Sequence, residues 1–260
     1  MQRLASNLGF SVGPAAGGFL ASRHFWLLFV VVALTTLIAA IALLWFFRLR
    51  RIEGATDENV NVEVRTSPLL DKTFVYFLAL MLMSMLVFFQ FLPTYPLYLQ
   101  DHYGLSTELI GLMFAINTVV IVVFEMLLVD HVKHWPLLPT IGWGSFLTCV
   151  GFGIFPFGTS IAFGALAMLV VTVREMLSVP LAVSFVASRS PAGQEGSYMG
   201  WYTMTHSIAW VLGPTLGSAI YSINREAVWY TSLGIGVVVL VEFYAMGAGV
   251  KETAKPQAAD

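Results

Sequence analysis

The sequence predicts an all-α protein that crosses a membrane several times. Of its 260 residues, 58% are hydrophobic and only 11% are charged, whereas a soluble domain carries roughly a quarter charged residues. The charges are clustered, and the apolar runs between them approach the roughly 20 residues that span a bilayer core. A Gly-Pro pattern at 10–22 also returns at 210–222, an offset of 200 residues. Together these observations predict membrane helices arranged in two related halves.

Apolar runs predict eight membrane-spanning helices, which end at charged or Gly/Pro/Ser-rich segments. Their predicted bounds are about 5–22, 25–47, 73–99, 107–129, 136–157, 159–187, 197–221 and 227–249. The first run could alternatively be a cleavable signal peptide, but its glycines make it a poor apolar core for one.

Two polar segments separate or follow these helices. Residues 48–72 form the one long polar stretch between apolar runs and are predicted to be a cytoplasmic linker. Residues 251–260, KETAKPQAAD, are predicted to be a disordered cytoplasmic tail.

The positive charges predict the orientation. If the chain starts in the cytoplasm and crosses eight times, ten of its 13 Lys and Arg residues lie in inner segments. Only Arg23 and Arg225 then lie outside, which fits the positive-inside rule and places both termini in the cytoplasm. None of the asparagines begins an Asn-x-Ser/Thr site, which fits the inner membrane of a prokaryote. Tryptophans near helix ends are predicted interfacial anchors: Trp26, Trp135 and Trp229.

The repeated Gly-Pro pattern predicts close helix packing. FSVGPAAGGFLAS at 10–22 is echoed by WVLGPTLGSAIYS at 210–222. Small residues let helix backbones approach closely in lipid, and neighbouring helices can satisfy the carbonyl that proline frees. Paired halves of this kind are typical of secondary transporters. The predicted packing residues are Gly9, Gly13, Pro14, Gly17, Gly18, Gly213, Pro214 and Gly217.

Three segments resemble the major facilitator superfamily, in its drug–proton antiporter branch. The glycine pattern at 9–18 is similar to the antiporter motif of the family's fifth helix. Residues 172–204 resemble its tenth helix and following loop, with Arg174 in place of the usual glycine. Residues 110–130 resemble its eighth helix, although the loop that follows keeps little of the family's G-x-L-a-D-r-x-G-r motif.

The resemblance implies the major facilitator fold without its first four helices. Residues 1–47 would then be a remnant of the first six-helix half, holding family helices 5 and 6, and 73–250 would be the second half, holding helices 7 to 12. A missing amino-terminal segment or a partner chain would be needed to complete the fold.

Polar residues inside the predicted spans are the candidate substrate or proton site. Ionisable groups at membrane depth are costly and suggest function by default, and a carboxyl group in a low-dielectric site can exchange a proton near neutral pH. The candidates are Glu175, Arg174, Asn117, Gln90, His206 and Glu125. Glu175 is the expected proton carrier, and Arg174 is expected either to contact an anionic substrate group or to act as a mobile counter-ion. The alternative is a purely structural ion pair between them.

The resemblance implies proton-coupled efflux of an amphipathic small molecule by alternating access, driven by the proton gradient without another cofactor. Two alternatives stay open: a non-transporting remnant or subunit that needs a partner chain, and a uniporter or symporter of a sugar-like solute. We expect no enzyme and no metal site, because no Walker A, H-E-x-x-H, G-x-S-x-G or metal-spaced Cys/His motif occurs. A net charge of −2 also provides no basic field for nucleic acid.

Overall fold

The computed structural model describes residues 25–49 and 67–249, and every regular element in these stretches is a helix. The described residues fall into two units, which divide between residues 65 and 66. The predicted helix at 5–22, most of the predicted linker at 48–72 and the tail at 251–260 lie outside the described residues. The predicted domain bounds therefore stay predictions.

The first unit contains one described helix, α1, Phe25–Leu49. Apolar side chains are exposed along its length, including Trp26, Ile38 and Leu44. The hydroxyls of Thr35 and Thr36 donate to backbone carbonyls one turn back. Polar side chains in an apolar helix are thereby satisfied within the helix itself.

The second unit contains seven α-helices joined by short connections. They are α2, Lys72–Phe88; α3, Thr94–Tyr103; α4, Thr107–Val132; α5, Leu137–Gly153; α6, Ile161–Arg189; α7, Glu195–Ile223; and α8, Ala227–Gly249. The side chains of Asp71, Ser106 and Ser160 cap α2, α4 and α6 by accepting a backbone N–H of the first turn.

Five stretches of the described chain are long and apolar enough to cross a membrane. These are Lys72–Phe91, Thr107–Val132, Leu137–Phe157, Ile161–Arg189 and Ala227–Gly249. The helix α7 has 29 residues but is more polar, and the apolar part of α1 is Phe29–Trp45. The predicted total of eight spans stays a prediction, because residues 5–22 are not described.

The prediction of one continuous helix over 73–99 is wrong. The chain leaves α2 at Phe88, forms a short 3-10 turn over Phe89–Phe91 and resumes as α3 at Thr94. Pro93 lies at this break and Pro96 in the first turn of α3. Proline lacks the N–H that a continuing helix needs, and its ring clashes with the carbonyl four residues back.

The prediction of Trp229 as an interfacial anchor is also wrong, because its side chain is fully buried. Its ring packs 5.1 Å from Tyr98, 6.0 Å from Phe152 and 5.7 Å from Phe155. The free energy gained by burying so large an aromatic side chain exceeds what an interfacial position would provide. Trp26 and Trp135 are exposed, at 61% and 50%.

A polar cluster ties together the ends of three helices. Arg189, the last residue of α6, donates from Nε and Nη2 to the Asp71 carboxylate at 2.7 and 2.8 Å, and the Tyr198 hydroxyl on α7 lies 3.5 Å from it. Burial alone would raise the pKa of Asp71, but the Arg189 guanidinium and the backbone N–H groups of α2 together lower that pKa below its ordinary 3.8. Asp71 therefore caps α2 and anchors it to α6.

Candidate functional site

The centre of the candidate site is a contact between the middle of α4 and the middle of α6. Asn117 of α4 is buried, and its Nδ2 lies 2.9 Å from Thr172 Oγ1 and 3.4 Å from Glu175 Oε2. Thr172 and Glu175 are three residues apart on α6 and so share one face of that helix. The Thr172 hydroxyl donates to the Met168 carbonyl at 2.8 Å. Two predicted site residues, Asn117 and Glu175, are thus in contact.

Arg174 and Glu175 turn toward different neighbours. Adjacent residues point about 100° apart on an α-helix. Arg174 is only 2% exposed, and its guanidinium carbon lies 4.3 Å from the centre of the Phe88 ring at the end of α2. Such a contact between a cation and an aromatic face is attractive, and more so when it is desolvated. Glu175 faces α4 and is half-buried.

Gln90 is bound to protein groups at the break between α2 and α3. Its Nε2 donates to the Gly213 carbonyl of α7 at 2.5 Å and to the Leu86 carbonyl at 3.2 Å. Its Oε1 accepts the Thr94 hydroxyl at 2.8 Å. The buried amide thus connects the interruption between α2 and α3 to α7. It also donates to the Leu86 carbonyl, near the point where the regular backbone hydrogen bonds of α2 end.

The two described packing glycines of α7 lie against this break. A Cβ at Gly213 would approach Phe89 Cβ at 3.0 Å and the Leu86 carbonyl oxygen at 3.1 Å, and one at Gly217 would overlap the Gln90 amide. The absence of side chains there lets α7 approach α2 closely. Pro214 lies between them inside α7. Gly9, Gly13, Pro14, Gly17 and Gly18 lie outside the described residues.

The remaining predicted site residues lie apart from the Asn117–Glu175 contact. His206 of α7 is exposed, and its ring stands edge-on to Phe89 at 4.9 Å. Glu125 is half-buried on α4, about 12 Å along the helix from Asn117 at 1.5 Å per residue.

Within the described part of the chain, no group of three or more His, Cys, Asp or Glu could hold a metal ion.

Thr172 is a site residue that the sequence reasoning did not select. A threonine inside an apolar run usually bonds to its own helix, as Thr148 does with the Gly144 carbonyl. The spacing of three residues from Glu175 was the feature that could have revealed it.

Comparison with known proteins confirms the family. The Major Facilitator Superfamily model matches residues 1–214. The uncharacterized MFS-type transporter YttB of Bacillus subtilis is 26% identical over 225 residues, which cover 84% of this chain and 55% of that protein. Multidrug resistance proteins 1 and 2 of the same organism are 26% and 24% identical over 257 residues, covering 93% and 91% of this chain.

The chain spans 63% and 60% of the length of these two multidrug resistance proteins, and about half the length of YttB. Its apolar helices and the family match together indicate an integral membrane protein. The chain belongs to the Major Facilitator Superfamily, whose members are small-molecule transporters and not enzymes.

Proposed function

We propose that this chain exports amphipathic small molecules in exchange for protons, and that Glu175 carries the exchanged proton. The observation that supports this most is the position of Glu175: it is the middle residue of α6, half-buried, and contacted by an amide from α4. Ionisable residues at this depth in membrane helices commonly mark proton relays and substrate paths.

Protonation of Glu175 would change the contact between α4 and α6. An ionised carboxylate only accepts hydrogen bonds and therefore suits the Asn117 amide donor, whereas the protonated acid carries one donor of its own. A proton can shift a conformational equilibrium only by binding the two states with different affinity. The Asn117–Glu175 contact provides such a difference if it is made in one state and broken in the other.

The substrate class rests on the surroundings of the candidate site and on the family comparison. Arg174 and the half-buried Phe88 ring place a cation and an aromatic surface next to each other, which suits a molecule with both polar and apolar parts. Two similar proteins are named multidrug resistance proteins. We extend that type of substrate to this chain as part of the proposal.

The test is gradient-driven uptake into proteoliposomes that contain the 260-residue chain. The vesicles receive a fluorescent amphipathic dye and a pH gradient of one unit. For one proton per molecule, that gradient can hold a roughly tenfold dye concentration difference. The Glu175→Gln variant should abolish accumulation against the gradient and retain dye binding.

Glu242→Gln is the matched control. Glu242 lies on α8 and accepts the Tyr76 hydroxyl at 2.5 Å, and glutamine keeps an acceptor there. This variant should accumulate dye like the unaltered chain. Undiminished accumulation by Glu175→Gln would reject Glu175 as the proton carrier. No accumulation by the unaltered chain would reject transport by this chain alone and favour a subunit that needs a partner.

A further inference from the structure

We propose that Thr172 is a positioning residue, which acts through Asn117 to set the pH at which Glu175 exchanges its proton. This inference rests on the proposed function of Glu175. It assigns a role to a residue that contacts neither the substrate nor the proton directly.

The hydrogen bonds of Thr172 have a defined direction. A hydroxyl carries one proton, and the Thr172 proton is directed to the Met168 carbonyl, 2.8 Å away. Thr172 Oγ1 must therefore accept from Asn117, whose Nδ2 lies 2.9 Å away. Thr172 is fully buried, so water does not compete for this oxygen. The carbonyl of Met168 thus determines the direction of the chain of hydrogen bonds.

This direction fixes the orientation of the Asn117 amide. With one hydrogen of Nδ2 on Thr172, the second points toward Glu175, whose Oε2 lies 3.4 Å away. The terminal torsion of asparagine is broad and roughly two-fold. Without the Thr172 acceptor, the amide could turn and present its oxygen to the carboxylate instead. A lone pair facing a carboxylate disfavours the ionised form.

Within the described part of the chain, the Thr172 hydroxyl bonds to Asn117 and to the Met168 carbonyl and not to an ionisable group. Arg174 is the neighbour of Glu175 on α6, and Glu125 lies on α4. On the other helices packed against α6, Cys149 of α5 and His206 of α7 lie within electrostatic reach of Arg174. A shift in Glu175 titration caused by Thr172 variants would thus report on the Asn117 contact.

The test compares Thr172→Val, which removes the hydroxyl at nearly constant shape, with Thr172→Ser, which keeps it. The readout is the infrared carboxyl band of purified protein in detergent, titrated with pH and assigned by its loss in Glu175→Gln. Thr172→Val should raise the pH of half-protonation by about 0.5–1 unit, a three- to tenfold change in proton affinity. Thr172→Ser should match the unaltered chain.

Thr148→Val is the control for loss of a buried threonine hydroxyl, because Thr148 of α5 bonds only to its own helix among the described residues. It should leave the titration unchanged. If Thr172→Val does not fold, Thr172→Ala removes the same hydroxyl with less bulk. In an Asn117→Leu background, Thr172→Val should add no further shift, because the proposed route passes through Asn117.

The outcomes separate this inference from the proposed function. An unchanged midpoint in Thr172→Val, with a Glu175 band that still titrates, overturns the role of Thr172 and leaves the proton carrier intact. A further shift in the Asn117→Leu background overturns the route through Asn117. The absence of any titrating band that depends on Glu175 overturns both proposals.

Discussion

Replacing Gly217 by alanine would place a methyl group where the Gln90 side-chain amide now lies. Gln90 makes two hydrogen bonds to backbone carbonyls, of Gly213 and Leu86, and one with the Thr94 hydroxyl. The amide therefore cannot move away from the new methyl group without breaking bonds at the interruption between α2 and α3. Gly217→Ala is for this reason a sharp test of the contact between that interruption and α7.

The expected cost follows from two effects. Overpacking a well-filled contact typically costs about 1–3 kcal/mol, and each interhelical hydrogen bond in a membrane protein is worth about 0.6 kcal/mol. Alanine also favours helix over glycine by about 1 kcal/mol, so we expect Gly217→Ala to lower the free energy of unfolding by a net amount of about 1–3 kcal/mol. Gly200→Ala on the same helix is the matched control, because no heavy atom lies within 4 Å of its added Cβ. Its effect should be neutral or stabilising by up to about 1 kcal/mol, since alanine favours helix over glycine.

The measurement is a double-mutant cycle with Gln90→Ala, read from unfolding of the purified protein in mixed detergent. Gln90→Ala alone should cost about 2 kcal/mol, because one bond to α7 and two local bonds are lost, each worth roughly 0.5–1 kcal/mol. The double variant should be more stable than the sum of single effects by at least about 1 kcal/mol, because the clash disappears with the amide. Equal effects of Gly217→Ala and Gly200→Ala, or strict additivity with Gln90→Ala, would refute the reasoning.

Two further predictions concern helix ends and helix contacts. Asp71→Asn keeps a cap but loses the ion pair with Arg189, so it should lower stability by about 1 kcal/mol at pH 7. Because the folded-state pKa of Asp71 is lowered below its ordinary 3.8, this contribution is complete well above that value and is lost as pH falls through the folded-state pKa. An equal melting-temperature difference at pH 7 and pH 2 would contradict the ion-pair assignment. Gly144→Ala should cost about 1–3 kcal/mol, because its Cβ would lie 3.0–3.3 Å from Ser178 backbone and Cβ atoms, whereas Gly234→Ala meets no atom within 4 Å. Equal unfolding free energies for these two variants would contradict the close contact between α5 and α6.

The sequence predicts the bounds of the helices in the second unit closely. It does not predict the interruption between α2 and α3. Apolar runs and capping residues define where these helices begin and end, because lipid requires every backbone group to be satisfied within the helix. Proline alone does not reveal a break: Pro180 and Pro214 lie inside continuous helices α6 and α7, whereas Pro93 lies at an interruption. The difference depends on tertiary partners, here the Gln90 amide and the Gly213 carbonyl.

The candidate site could be predicted in part. Asn117 and Glu175 are conspicuous because polar side chains are rare inside apolar runs. Their contact depends on how α4 packs against α6, which a single sequence does not contain. The sequence places Arg174 next to Glu175, and the structure adds that the Arg174 guanidinium packs against the Phe88 ring. The ion pair between Arg174 and Glu175 stays an open alternative. Gln90 was predicted as a site residue from its depth, and the structure adds that its amide joins two helices.

Substrate-induced proton release tests the central claim most directly. The purified chain is held in weakly buffered detergent solution with a pH indicator, and an amphipathic dye is added in stoichiometric amounts. If dye binding favours ionised Glu175, the unaltered chain and Glu242→Gln should release up to about one proton per bound dye molecule, by reciprocal linkage. Glu175→Gln should bind dye without releasing protons. Equal release by Glu175→Gln would contradict the account.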